Sequence, residues 1–199
     1  MTLLEERPTQ SLREASIPVL ETARLILRRP LLGDAKAIAT LANDRRIAEN
    51  TRRVPHPYNV EDAEDFIAGT GGGSEIAFTI TQRHGALIGG CSISLGDGVA
   101  PEIGYWLGVS YWGHGYATEA VRALIDYAFT ECDHEVLQAG ARVTNPASRR
   151  ILEKCGFQWT GVGLVRIRAI ASSAPIDMFR LDRGLWNSLR NWGAVNRVA

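Results

Sequence analysis

The stretch EIGYWLGVSYWGHGYATEA, residues 102–120, contains a strand-like segment, a glycine-rich turn and the start of a helix. Residues 102–107 precede the turn and alternate as in a β-strand. Behind the turn, apolar residues recur at helical spacing: Ala117, Ala120, Val121, Leu124, Ile125, Ala128 and Phe129. The stretch therefore predicts a strand–loop–helix unit whose helix begins near Tyr116 or Ala117.

The glycine loop of this unit has two interpretations. The first N–H groups of a helix lack partners within it, and the helix dipole favours negative charge there. Gly113 and Gly115 tolerate positive φ and a close approach, so a pyrophosphate would fit. The alternative is a plain turn whose donors bind water, and the loop residues alone leave both open.

Two common nucleotide motifs do not match this loop. A P-loop needs Lys and then Ser or Thr after its last glycine, where this chain has Tyr116 and Ala117. A dinucleotide fingerprint needs Gly or Ala at the position of Thr118 and an acid after the next strand. Residues 136–144 contain no acid.

Size and composition limit the functional classes. The chain has 199 residues, 45% of them hydrophobic, and no net charge, which favours one domain and argues against nucleic acid or an anionic membrane as the main partner. Residues 1–18 lack the apolar core of a signal peptide and predict a flexible arm before a domain over 19–199. Three widely spaced cysteines predict no disulfide framework, no metal site and a cytoplasmic location: Cys91, Cys132 and Cys155.

The remaining pattern predicts the order β-α-α-β-β-β-α-β-α-β-β. Asp34 is expected to cap the first helix, which would bury Ile38, Leu41 and Ala42. A hairpin turn is expected at residues 83–85. This order predicts a mixed α/β domain with one central sheet and helices on both faces. In the tail, Leu185, Leu189 and Trp192 lie at helical spacing near Trp186. This segment could dock on a second subunit or on its own core, and we expect the core.

Two polar residues stand out near the predicted loop. Glu102 shares a strand face with Gly104 and Trp106, so it is either a reactive carboxylate or a solvated residue at a strand start. In NPASRRILEKCGF, residues 145–157, Asn145 is a good N-cap and Pro146 a good first helical residue. A capped surface helix explains most of that segment, but not a Ser148 that points toward the preceding helix.

Taken together, EIGYWL, YWGHGYATEA and NPASRRILEKCGF resemble the GNAT superfamily of acetyl-CoA-dependent N-acyltransferases. The chain looks most like the branch that includes the ribosomal-protein N-terminal-alanine acetyltransferases, whose usual opening is similar to ETARLILRRPLLGDA, residues 21–35. The resemblance runs from about Glu21 to Leu185. It implies a single GNAT-like domain with a mostly antiparallel, splayed central sheet and helices on both faces.

The resemblance also implies how acetyl-CoA, the expected co-substrate, is held. Backbone amides of the loop would hold the pyrophosphate, and the strand end and Asn145 would contact the pantetheine arm. The implied contacts are Leu107, Trp112, Gly113, His114, Gly115, Tyr116, Ala117, Thr118 and Asn145. This chain departs from the family where Trp112 replaces Gln or Arg, His114 replaces Lys or Arg, and Val109-Ser110 replaces Pro-Glu. We expect the pyrophosphate site to be retained despite these changes, because backbone amides form it.

For the chemistry, the resemblance places Glu102 beside the acceptor amine as general base and Ser148 beside the thioester sulfur as hydrogen-bond donor. A backbone N–H near Tyr105 or Trp106 is the candidate oxyanion donor. We expect direct transfer in a ternary complex, without an acyl-cysteine. The expected enzyme is an N-acetyltransferase, a monomer or homodimer. The alternative is a non-catalytic acyl-CoA-binding module.

The sequence leaves the acceptor open between a protein N-terminus and a small amine. We expect its choice to depend on residues 50–60, on Trp106 and on the region after Trp159. Within 50–60, four side chains would suit an acidic or aromatic group, although a solvated loop explains them equally well: Arg52, Arg53, His56 and Tyr58.

Overall fold

A computed structural model describes residues 17–70, 73–95 and 100–195 of the chain. The strands are β1 (Leu20–Glu21), β2 (Leu25–Arg28), β3 (Glu75–Gln82), β4 (Leu87–Ser94), β5 (Glu102–Leu107), β6 (Val136–Arg142), β7 (Gln158–Ile167) and β8 (Ser172–Asp182). The helices are α1 (Ala35–Ala42), α2 (Arg45–Ala48), α3 (Val60–Gly69), α4 (Tyr116–Thr130), α5 (Pro146–Lys154) and α6 (Arg183–Val195). Of the predicted N-terminal arm, residues 1–16 lie outside the described residues, and Ile17 packs against the core.

The eight strands form one sheet in the order β1-β2-β3-β4-β5-β6-β8-β7. All neighbours are antiparallel except β5 and β6. These two pair only through Glu102 with Gln138 and Ile103 with Ala139, and they diverge beyond Ile103. The prediction of a mostly antiparallel, splayed sheet is confirmed, and its opening lies directly in front of the glycine loop.

Helices cover both faces of the sheet, as predicted. On one face, the apolar stripe of α4 packs against buried strand residues such as Phe78 and Ile103. On the other face, α1 and α3 bury a smaller cluster that includes Ile38 and Tyr58. Alternation along β5 therefore directs Glu102, Gly104 and Trp106 toward α1 and α3, and their neighbours toward α4 and α5.

The structure adds elements that the sequence pattern did not indicate. β1 and α2 are only two and four residues long, too short for a periodic signal. The last two strands are 10 and 11 residues long, and α6 covers the tail segment whose apolar residues lie at helical spacing. Asp34 takes the cap position of α1, but its side chain makes no capping bond to that helix. It accepts hydrogen bonds from Arg28 and the Leu31 N–H instead, and Arg28 lowers its pKa.

The C-terminal helix packs on the core through one tryptophan. Trp186 is 8% exposed, its ring centroid lies 5.1 Å from that of Phe129, and its indole N–H donates to Asp126 over 2.8 Å. Trp192 is 76% exposed. The predicted docking of the tail on its own core is therefore correct for Trp186 and wrong for Trp192, which points away from it.

Within the described ranges, no helix combines the length and apolarity needed to cross a membrane. The same ranges contain no cluster of three or more His, Cys, Asp or Glu side chains arranged to hold a metal ion.

Candidate active site

A cleft of about 1000 Å³ opens where β5 and β6 diverge. It runs from the start of α4, past the first turn of α5, to the chain segment between α2 and α3. Ten of the eleven predicted site residues line it: Glu102, Leu107, Trp112, Gly113, Gly115, Tyr116, Ala117, Thr118, Asn145 and Ser148. The remaining one, His114, does not.

The amide-rich loop forms one end of this cleft. Gly113 and Gly115 both have φ of +79°, and Gly115 is the N-cap of α4. Among the described residues, the six N–H groups of residues 113–118 have no backbone or side-chain acceptor. Six unpaired donors at a helix N-terminus fit a pyrophosphate in both charge and geometry.

Arg24 holds this loop through hydrogen bonds to the loop backbone and to the first turns of α4. Arg24 donates through Nη1 to the His114 carbonyl over 3.0 Å and through Nε to Glu119 over 2.6 Å. Its guanidinium carbon also lies 4.7 Å from the ring centroid of Tyr116. The His114 ring stacks on Tyr116 with centroids 5.8 Å apart, outside the cleft wall. Side-chain contact between His114 and a ligand in the cleft is therefore not supported, whereas its backbone N–H remains available.

The strand end is tied to the loop by another side chain. Trp112 donates its indole N–H to the Leu107 carbonyl over 2.8 Å. The bond links the end of β5 to the residue just before Gly113. Trp112 thus positions the loop as well as lining the cleft.

Glu102 lies at the closed end of the splay and is bound by an arginine. Arg52 Nη2 donates to both carboxylate oxygens, over 2.6 and 2.8 Å. The Glu102 side chain is 32% exposed and that of Arg52 is 49% exposed. Gly140 leaves room beside the carboxylate, since a Cβ there would come within 3.8 Å of Glu102 Oε1.

Ser148 lies across the splay from Glu102, on the α5 side. Asn145 caps α5 by accepting from the Ser148 N–H over 3.1 Å, as the sequence predicted for this cap. The Ser148 hydroxyl oxygen is 2.8 Å from the hydroxyl oxygen of Tyr105. Burial raises the pKa of Tyr105, so its phenol keeps its proton at neutral pH.

Sequence reasoning missed Tyr105 and the pairing of Arg52. The sequence pointed to Tyr105 only through its backbone N–H, although a buried Tyr hydroxyl requires a partner, and that signal was available. The pairing of Arg52 with Glu102 left no signal, because the two residues are 50 positions apart and meet only through the fold.

The cysteines are poor nucleophiles. Burial raises the pKa of the Cys91 thiol and that of Cys155, the latter to about 11. Burial also raises the pKa of Cys132. A thiol is nucleophilic as the thiolate, so these shifts disfavour an acyl-cysteine.

The acceptor end of the cleft is lined by part of the predicted region. Arg52, Arg53 and Tyr58 line it, whereas His56 does not. Arg53 is ion-paired with Glu75. Apolar and aromatic side chains form the wall: Val54, Tyr58, Phe66 and Trp106. Trp159 itself does not line the cleft, and its indole donates to Asp177 over 2.8 Å. The region after it does, through Val165, Ile167 and Arg168.

Comparison with known proteins identifies this arrangement. The model of the Acetyltransferase (GNAT) domain matches residues 24–158. The uncharacterized N-acetyltransferase p20 of Bacillus licheniformis is 31% identical over 167 residues, which cover 80% of this chain and 92% of that protein.

Solved structures share the fold. The ribosomal-protein-S5-alanine acetyltransferase of Vibrio fischeri has a TM-score of 0.72 at 20% identity, covering 85% of this chain and 99% of that one. The spermidine N-acetyltransferase of Vibrio cholerae, solved with CoA and spermine, has a TM-score of 0.71 at 20% identity, covering 83% and 99%. Because the domain match spans the splayed strands, the amide loop and α5, and the Bacillus relative matches along most of its length, this chain belongs to the GNAT family and is an N-acetyltransferase.

Proposed function

We propose that this enzyme transfers an acetyl group from acetyl-CoA to a primary amine by direct attack in a ternary complex. The observation that carries the proposal is the run of unpaired amides at residues 113–118, of which five belong to residues that line the same cleft as Glu102 and the Ser148–Tyr105 pair. The amides suit a pyrophosphate, and the carboxylate and hydroxyls suit the proton transfers that acetylation needs.

Bound acetyl-CoA would supply an activated thioester for the amine to attack. Amides 113–118 would hold its pyrophosphate, while Leu107, Trp112 and Asn145 would flank the pantetheine arm. In this arrangement Glu102 takes a proton from the acceptor ammonium, since only the neutral amine has a lone pair. A free N–H on the open edge of β5, near Tyr105 or Trp106, stabilises the developing oxyanion.

Ser148 and Tyr105 complete the proposal on the leaving-group side. Either hydroxyl of this pair can be the donor, and the Tyr105 hydroxyl also lies 3.3 Å from the Ser148 carbonyl oxygen. In the proposed arrangement Tyr105 donates to Ser148 Oγ, which leaves the Ser148 proton free to neutralise the departing sulfur. Strand alternation supports this division of roles, because it directs Glu102 and Tyr105 to opposite faces of β5. The acceptor would then enter from the α3 side and the thiol would leave on the α5 side.

A non-catalytic acyl-CoA-binding module, the alternative that the sequence alone left open, would need only the amide loop. A carboxylate and a paired hydroxyl in the same cleft favour catalysis, because binding the cofactor alone needs neither. We propose the cytoplasm as its location, in keeping with three cysteines that are unpaired in the structure.

Release of free thiol from acetyl-CoA, measured with a panel of amines and N-terminal peptides, tests the proposal. We expect acceptor-dependent release and a matching gain of acetyl mass on the acceptor. Tight binding of acetyl-CoA with no acceptor-dependent release across the panel would contradict the proposed transfer to these amines.

A further inference from the structure

We propose that the acceptor of this enzyme carries a carboxylate close to its amine, as a free amino acid does, and that Arg52 binds that carboxylate. This inference rests on the proposed function and names the substrate class of the same site. Arg52 lies against the carboxylate of Glu102, which is the proposed general base.

Arg52 uses one of its three nitrogens on Glu102. Both hydrogen bonds to the carboxylate come from Nη2. Among the described residues, Nε and Nη1 have no acceptor, so the guanidinium keeps donors for a second anion. Such a fork is the group that binds a carboxylate in a bidentate manner.

A zwitterion satisfies both members of this pair. Its ammonium would approach Glu102 while its carboxylate approaches Arg52, so every charge keeps an opposite charge beside it. An amine without a carboxylate would compete with Arg52 for Glu102 and would leave the guanidinium without an anion to bind. Because the Arg52–Glu102 pair is partly exposed, it contributes little stability, and Arg52 can shift to accommodate the exchange.

Arg142 and Arg168 are among the other arginines that line the cleft. Arg142 is anchored by donating to the Glu49 carbonyl over 2.9 Å, and its buried Nε has no acceptor among the described residues. Arg168 is exposed, and its backbone N–H donates to the Arg52 carbonyl over 3.1 Å. A buried donor without a partner is expected where a ligand or water binds.

The residues that line the acceptor end of the cleft indicate what kind of side chain the acceptor has. Tyr58, Phe66 and Trp106 present aromatic surface beside the arginines, which suits an apolar or aromatic side chain. Asp62 and Asp65 line the α3 side of the cleft and are the groups that a polycationic acceptor would use instead. A polyamine is therefore the competing acceptor for the experiment.

The test compares acceptors that differ only in the carboxylate. Alanine, leucine and phenylalanine are each assayed beside the corresponding amide and decarboxylated amine, with spermidine as the cationic competitor. We expect kcat/KM for the amino acids to exceed that for their carboxylate-free partners by about ten- to hundredfold, the range for hydrogen bonds to a charged group. In Arg52→Gln this preference should disappear, mainly through KM of the amino acid.

Arg180→Gln is the matched control, because it also removes a half-exposed, ion-paired arginine, on β8 and away from the cleft. It should retain the preference. A preference for the decarboxylated amines or for spermidine, or an unchanged preference in Arg52→Gln, overturns the inference while the proposed function stands.

Calorimetric titration of the amino acids into the CoA-saturated enzyme separates the two proposals. Amino-acid binding that depends on Arg52, without any acetylation of the panel, would retain the anion site and overturn the proposed function. If the amino acids neither bind nor react, the inference is wrong whatever other amines react.

Discussion

At the scale of single residues, Glu102 and Ser148 have different surroundings that suit different tasks. Glu102 is a partly exposed carboxylate held by Arg52 on the α3 side of β5. Ser148 is joined to a buried phenol on the α5 side. A carboxylate and a pair of hydroxyls thus lie on opposite sides of one strand, as the proposed roles of base and proton donor require.

Replacing Glu102 tests the first of these tasks. Glu102→Gln keeps the shape of the side chain and removes its basicity. We expect kcat to fall by about 10²-fold or more, the usual contribution of a general base, with acetyl-CoA affinity near that of the parent. Stopped-flow or steady-state thiol release gives kcat and calorimetry gives the affinity. An unchanged kcat at neutral pH would assign deprotonation to another group.

Replacing Ser148 and Tyr105 tests the second task. Ser148→Ala and Tyr105→Phe should each lower kcat while leaving acetyl-CoA affinity nearly unchanged, because a bond to the departing sulfur forms only in the transition state. The loss of one such donor is worth at most about 10²–10³-fold, by analogy with an oxyanion-hole donor.

The double variant Ser148→Ala/Tyr105→Phe tests whether the two hydroxyls act together, as a relay in which Tyr105 assists Ser148, or act independently. If the hydroxyls act as one unit, the combined loss in kcat will be close to that of the worse single variant. Full additivity of the two losses would contradict the relay, and a parent-like kcat in Ser148→Ala would reduce Ser148 to a structural role.

At the scale of elements, the loop before α4 depends on backbone geometry more than on side chains. Gly115 has φ of +79°, and a Cβ there would lie 3.4 Å from Arg24 Nη2. A valine would therefore be strained, and it would disturb the bracing arginine next to the amides.

We expect Gly115→Val to weaken acetyl-CoA binding strongly, by ten-fold or more as a rough estimate from the loss of a few charge-assisted bonds, while the protein stays folded. Calorimetry measures the affinity, and circular dichroism checks the fold. Gly85→Val is the matched control, since Gly85 also has positive φ, at +99°, and sits in the β3–β4 turn with no atom within 4 Å of the added Cβ. Equal acetyl-CoA affinity in the two variants would remove the loop from the binding site.

At the scale of the whole molecule, α6 is attached to the domain through Trp186. Removing this buried ring leaves a cavity beside Phe129. It also leaves the Asp126 carboxylate without the indole N–H that donates to it. The tail is thus part of the folded domain and contributes to its free energy of unfolding.

Trp186→Ala should lower the free energy of unfolding by about 3–5 kcal/mol, the usual cost of truncating a buried tryptophan. Trp192→Ala, on the same helix but largely exposed, should change it by no more than about 0.5 kcal/mol. Urea denaturation followed by tryptophan-independent circular dichroism measures both. Similar losses in the two variants would mean that Trp192 is also covered in solution.

The sequence by itself determined the local features of this protein. Spacing of apolar residues predicted α4, the Asn145-Pro146 pair predicted the start of α5, and the two glycines predicted the loop between β5 and α4. These features depend on neighbours a few positions apart, so short-range rules reach them. Together they were also enough to identify the family.

Only the tertiary structure decided which side chains of the site hydrogen-bond to one another. The bonds of Arg52 to Glu102, Tyr105 to Ser148 and Arg24 to the His114 carbonyl join residues 50, 43 and 90 positions apart. Each depends on strand register and on the angle at which helices pack, which no local pattern encodes. β1 and α2 escaped prediction for another reason, since two and four residues are too few for a periodic signal. Asp34 has local partners, Arg28 and the Leu31 N–H, which it binds instead of capping α1.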